Sequence, residues 1–222
     1  MTPMFDSDEM LSQMTAQAVA QGESLRSTVR DLTLQALQSR ELSLAQIKSV
    51  VRSVTEGVNI GAMQGKLGDS EVFEQALAGM DDALLKVVEA SRIALHQITG
   101  DREYRDSHLK KALSDLERLE DEFFATVKKT ATGARSPFKS QWSGALEEQM
   151  AAGTATGQQV MAMMEQYGEQ VRSAARAQRE AGVRAAHALT QNFATLISGV
   201  LMGLSEAMQQ GAAPPPAPKK RR

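Results

Sequence analysis

The chain has 222 residues, a formal net charge of −2 at neutral pH and no cysteine. The lack of cysteine excludes disulfides, thiolate nucleophiles and cysteine-ligated metals, and the near-neutral charge excludes a general attraction to nucleic acid. Only 4% of the residues are aromatic, whereas residue types that favour helices are abundant. No proline interrupts residues 4–136 or 138–213, and we therefore predict an all-α fold.

The first half of the chain predicts a short arm followed by a helical domain. Residues 1–23 form the arm, which contains one short helix. Residues 24–133 form the helical domain, in which Ser24 and Ser43 stand where the N-caps of two helices are expected. The helix after Ser43 is expected to weaken where glycine recurs, at Gly57, Gly61, Gly65 and Gly68.

The second half predicts one long amphipathic helix over residues 137–210. Gly133 and Pro137 mark its boundary with the preceding domain. Beyond Pro137, apolar and small residues recur about every 3.6 positions, which is the repeat of an α-helix. Residues 211–222 are rich in proline and alanine and predict a disordered tail. The tail ends in four basic residues that form a small electrostatic site: Lys219, Lys220, Arg221 and Arg222.

Glycine gives the predicted long helix an unusual seam. Each glycine inside a helix costs about 1 kcal/mol relative to alanine. Glycines that nevertheless fall on the apolar side allow another helix to approach closely. The predicted close-packing seam consists of Gly153, Gly157, Gly168 and Gly182. The alternative is weak helical structure in an alanine-rich stretch.

An apolar surface on the same helix is the predicted partner-binding site. Methionine suits such a surface because its unbranched side chain adapts to irregular partners. The predicted residues are Met161, Met164, Leu189, Phe193, Leu196, Ile197, Val200 and Leu204. Residues 185–205 carry no charged side chain and are long enough to span a bilayer. Polar residues dilute this run, so a transmembrane anchor is the less favoured alternative to self-association or adsorption on a surface.

No arrangement of residues points to catalysis. The three histidines, His96, His108 and His187, are far apart and none has the spacing of a metal-binding pair. We therefore predict no catalytic, cofactor-binding or metal-binding residues, no cofactor and no small-molecule substrate.

Three stretches of the first half resemble an uncharacterised family of proteobacterial helical proteins, and the similarity extends over about the first 130 residues. They are LTLQALQSRELSLAQIKSVVRSVTEGVNIGA at 32–62, ALAGMDDALLKVVEASRIAL at 76–95 and LKKALSDLERLEDEFF at 109–124. This family has no established activity, so the resemblance implies a helical fold and no catalytic residues.

The second half resembles the phasins, which coat polyhydroxyalkanoate storage granules in bacteria. The resemblance lies in a cysteine-free amphipathic helix rich in alanine, glutamine and methionine, followed by a tail of proline, alanine, lysine and arginine. It implies a non-enzymatic protein that coats a hydrophobic granule or lipid surface. Some phasins use a longer basic tail to bind the nucleoid, and this tail is shorter, so we expect at most weak contact with nucleic acid.

Another interpretation of the apolar surface stays open. The same surface would serve a coiled-coil or bundle adaptor that associates with itself or with a partner protein. The acidic beginning of the chain does not have the features of a secretory signal. We therefore expect a cytoplasmic protein, associated in part with granules or membranes.

Overall fold

A computed structural model describes residues 7–21, 24–40, 43–98, 111–132 and 138–177. The described residues contain helices and no strand, which confirms the all-α prediction. Residues 111–117 are helical and lead into α5. The seven longer helices are α1 (Ser7–Gln21), α2 (Leu25–Gln38), α3 (Leu44–Gly65), α4 (Ser70–Ile98), α5 (Leu119–Ala131), α6 (Lys139–Ala152) and α7 (Ala155–Ala177).

The first and third helices pack side by side and run in the same direction. Gly57 lies against the backbone of Ser12, and one turn later Gly61 lies against the backbone of Ala16. A side-chain carbon at either glycine would overlap these backbone atoms. The two glycines therefore bring α3 into backbone contact with α1, and the helix continues through both of them before it ends at Gly65.

The fourth helix lies at the centre of the described bundle, where α2, α3, α6 and α7 all contact it. A short link at 66–69 joins α3 to α4. The start of α3 and the second half of α4 line one recess, so these two helices run antiparallel. Gly79 of α4 lies against the backbone of Arg26 in α2. The guanidinium of Arg26 also donates two hydrogen bonds to Asp82, of 2.7 and 2.8 Å. Close approach and a bidentate ion pair thus hold α2 on α4.

The second half folds back onto the first through α6. Trp142 is fully buried and packs edge to face on Phe73 of α4, with ring centroids 5.1 Å apart. Its indole nitrogen donates a hydrogen bond of 2.8 Å to Asn59 of α3. One aromatic side chain therefore joins α3, α4 and α6.

The predicted domains share one core. Buried apolar side chains from Leu11 of α1 to Tyr167 of α7 belong to a single cluster. Within residues 1–23, the predicted arm, the short helix is α1, and it buries Leu11 and Val19 against the bundle. The predicted boundary at 133–137 likewise does not separate two cores, because Trp142 packs beyond it on α4.

The prediction of one continuous helix over residues 137–210 is wrong in its described part. The helix stops at Ala152 and restarts at Ala155. The backbone of Gly153 has φ 76° and ψ 149°, a conformation that glycine alone adopts without strain. Thr154 then caps the next helix, so two residues turn the chain from α6 into α7.

Candidate functional site

The last described helix, α7, lies on α4 through a narrow apolar face. Val160, Met163 and Tyr167 recur at helical spacing and are buried. Burial raises the pKa of the Tyr167 hydroxyl, and the charge of Arg92 on α4 partly opposes this rise. Glu165, on another face of α7, is exposed. The apolar face of α7 is therefore covered by another part of the same chain.

The beginning of α7 is buried, and polar side chains of α4 and α5 make hydrogen bonds to it. Thr154 is the N-cap, because its hydroxyl oxygen accepts a hydrogen bond of 2.8 Å from the backbone N–H of Gly157. The same hydroxyl donates to the carboxylate of Glu120 on α5. A carboxylate from a second helix thus holds the capping side chain in place.

Asp81 of α4 completes this polar junction. Its side chain is only 4% exposed, and its carboxylate accepts hydrogen bonds from the backbone N–H groups of Ala155 at 3.0 Å and Thr156 at 3.3 Å. The hydroxyl of Thr156 donates to the backbone oxygen of Asp81 at 3.1 Å. A negative charge at this position also interacts favourably with the positive end of the helix dipole. Asp81 therefore caps a helix that begins 74 positions later in the chain.

Gly157 leaves room for the junction. A side-chain carbon at this position would overlap the carboxylate of Glu120. Gly157 was predicted to belong to a seam between helices, and the group that it admits is a polar side chain. Gly153 was predicted in the same seam but lies in the turn, where an added side-chain carbon would come within 4 Å of the end of Gln158. Gly168 lies within α7, whereas Gly182 lies outside the described residues.

The predicted partner-binding surface is described only at its first two residues. Met161 is 68% exposed. Met164 is partly buried and packs against the core, so in this arrangement it is not part of an open surface. The remaining predicted residues lie outside the described part of the chain: Leu189, Phe193, Leu196, Ile197, Val200 and Leu204. The basic tail, Lys219, Lys220, Arg221 and Arg222, also lies outside it.

Other methionines are exposed on three further helices. Met10 and Met14 occupy successive turns of α1. Met63 of α3 and Met150 of α6 are exposed by 51% and 61%. Exposed methionine is therefore a property of several helices rather than of α7 alone.

Two recesses lie between helices in the described part of the chain. A small recess of about 60 Å³ between α3, α4 and residues 112–119 is lined mainly by apolar side chains. An open polar groove lies where the beginning of α4 meets α6, and Asp69, Glu71 and Ser140 line it. In the described part of the chain, no group of three acidic or histidine side chains is arranged to hold a metal ion. None of the described helices is both long and apolar enough to cross a bilayer.

The polar junction was not predicted from the sequence, although one local signal indicates the helix break at which it lies. Gly153 followed by Thr154 is a helix stop followed by an N-cap residue, and this pair indicates a break. No local signal identifies Asp81 or Glu120, because the groups that they bind belong to a distant part of the chain.

Comparison with protein-family models matches residues 1–210 to a family of unknown function (DUF6781). Comparison with curated proteins found no match. Comparison with solved structures found none either.

Proposed function

We propose a function from the surfaces of this chain, because it belongs to the DUF6781 family of unknown function, which supplies no activity to carry over. The proposed function is non-enzymatic: the protein coats a hydrophobic granule or lipid surface in the manner of a phasin, through the amphipathic second half of the chain. It acts without a cofactor or a small-molecule substrate, in the bacterial cytoplasm.

One described side chain carries the proposal. Met161 is 68% exposed on α7, and the uncharged stretch at 185–205 follows this helix in the sequence. When a hydrophobic surface covers a flexible apolar side chain that water had surrounded, the free energy of the system falls. Glu165 and Glu148 are exposed on α7 and α6 and would stay in water at the edge of such a contact.

Sedimentation with polyhydroxybutyrate particles tests the proposal in the full-length protein. The triple variant Phe193→Ser, Ile197→Ser and Val200→Ser removes three large apolar side chains. Because each contributes roughly 1.5–3 kcal/mol when fully buried, we expect the bound fraction to fall at least tenfold. Circular dichroism should show that most of the helical signal is retained.

A matched triple variant controls for the number and place of the changes. Gln191→Ser, Asn192→Ser and Thr195→Ser alter the same region without removing a large apolar side chain, so binding should be unchanged. Equal binding by the two triple variants, or a wild-type protein that stays in solution, would contradict the proposal. Fractionation of the native cell into granules, membranes and soluble extract then tests the location.

A second candidate function is an adaptor that associates through its helices. The specific observation is the pair Met10 and Met14, which expose adjacent apolar side chains on α1. Sedimentation equilibrium in buffer distinguishes this candidate. A discrete oligomer that the double variant Met10→Gln and Met14→Gln converts to monomer would favour the adaptor over the coat.

A further inference from the structure

We infer that α7 is a releasable helix, and that the polar junction of Asp81, Thr154 and Glu120 is the latch that keeps its apolar face covered. When the latch opens, α7 turns about Gly153 and presents Val160, Met163 and Tyr167 to a hydrophobic surface. This inference rests on the proposed function and adds to it a closed state of the protein.

The packing of α7 is one-sided. Among the described helices, α7 makes its main contacts with α4 alone, whereas α4 also contacts α2, α3 and α6. Removing α7 therefore leaves the contacts of α4 with these three helices in place. Release also uncovers the part of α4 beneath α7, so the closed state is favoured until an apolar surface replaces the lost contact.

The latch consists of groups that water can satisfy. Asp81 and Glu120 are carboxylates, and their partners are backbone N–H groups and the hydroxyl of Thr154. In the closed state each group has a partner, which burial requires. In the open state water hydrogen-bonds the same groups, so the junction contributes only its net hydrogen-bond free energy to closure. A contact of this kind can open and close repeatedly.

Gly153 supplies the pivot. Its φ of 76° lies in the region that favours glycine. The residue is exposed, and among the described residues an added side-chain carbon would meet only the end of Gln158, at 3.9 Å. Open space around this residue allows α7 to change direction relative to α6 without displacing packed side chains.

The absence of cysteine makes release measurable by thiol labelling. In the full-length protein, Met163→Cys places the only thiol at a position that is 1% exposed. A thiol-reactive dye labels it at a rate that follows the open fraction. Adding Asp81→Asn removes the charge that caps α7, and we expect labelling to be about tenfold faster, as loss of a charge-assisted hydrogen bond implies.

Asp82→Asn is the matched control. It makes the same chemical change at the next residue, whose carboxylate binds Arg26 of α2, and it should leave the labelling rate unchanged. Met161→Cys, at an already exposed position, should react rapidly in all backgrounds. Equal labelling rates of Met163→Cys in the Asp81→Asn and Asp82→Asn backgrounds would contradict the proposed latch.

Hydrogen exchange of the wild-type protein tests the same inference without a substitution. The amides at 158–167 of α7 should exchange faster than those of α4, because release leaves α7 without its main packing partner, whereas α4 keeps its contacts with α2, α3 and α6. Equal protection of the two helices would overturn the inference even if a variant failed to fold. Binding to polyhydroxybutyrate particles is a separate measurement. If Asp81→Asn speeds labelling but the protein does not bind the particles, the latch is supported and the proposed coating function is contradicted.

Discussion

At the scale of single residues, the carboxylate of Asp8 connects α1 to α3 and to the segment that follows α2. It lies in the first turn of α1, accepts a hydrogen bond of 2.5 Å from Ser49 of α3 and lies 2.5 Å from the guanidinium of Arg40, beyond the end of α2. Burial acts to raise the pKa of Asp8. The hydrogen bonds from Ser49 and Arg40 and the charges of Arg40 and Arg52 outweigh burial and hold this pKa below its ordinary value of 3.8. The ionised form is therefore the one that the fold stabilises.

A dependence of stability on acid follows from this shift. Because the pKa is lower in the folded state, Asp8 contributes stability above its unfolded pKa and loses it as the pH falls through the folded value. We expect the free energy of unfolding to decrease below about pH 4, and Asp8→Asn to weaken that decrease. Urea unfolding between about pH 2 and pH 7 measures both. Asp31→Asn, which removes an exposed carboxylate paired with its neighbour Arg30, is the control, and an equal weakening by this variant would contradict the role of Asp8.

Two glycines in the second half should respond oppositely to alanine. At Gly144 an added methyl group meets no described residue within 4 Å, so Gly144→Ala should stabilise the helix by up to about 1 kcal/mol. Gly157→Ala introduces the same group against Glu120 and should destabilise the protein by roughly 1–3 kcal/mol. Thermal unfolding of the two variants tests this, and a stabilised Gly157→Ala would show that Glu120 moves aside without cost.

At the scale of helices, the contact between α1 and α3 depends on backbone approach. Gly61→Ala places a methyl group against the backbone oxygen of Ala16, which cannot move independently of α1. We expect a loss of about 3 kcal/mol, at the upper end for overpacked cores, and a lower midpoint in urea. Gly68→Ala, in the link before α4, is the control, because its added methyl group meets no described residue within 4 Å. A Gly61→Ala midpoint equal to that of wild type would mean that α1 and α3 separate readily.

Helix positions could be predicted from the sequence wherever a local signal marks a helix end. Ser43 caps α3 as expected, through a hydrogen bond from the backbone N–H of Gln46. Ser24 precedes α2 as expected, but its backbone is left-handed and its side chain makes no capping bond. The break at Gly153 was missed because the apolar repeat continues across it. Apolar periodicity indicates which residues face the core. Two successive helices that pack on one core can therefore show the same uninterrupted periodicity.

At the scale of the whole molecule, one core should produce one unfolding transition. Trp142 is the only tryptophan, and it lies in α6, beyond the boundary predicted at 133–137. Because it packs on α4, its fluorescence should change at the same urea concentration as the helical signal. A fluorescence midpoint clearly below that of circular dichroism would show that the second half unfolds separately.

The arrangement of the helices and the candidate site could not be predicted from the sequence. The all-α class follows from composition, but nothing local indicates that α1 pairs with α3 rather than with α2. The same limit applies to Asp81 and Glu120. From the sequence alone, each of these residues would be predicted to be a solvent-exposed charge. Only the fold brings them to the beginning of α7.

The parallel pairing of α1 with α3 has a consequence for the chain during its synthesis. Gly65 lies 44 positions after Gln21, so the ribosome needs roughly 2–9 s to complete α3 after α1 has been made, at about 5–20 residues per second. During that interval Leu11 and Val19 have no α3 to cover them. A chaperone that binds exposed apolar side chains therefore has this interval in which to bind α1.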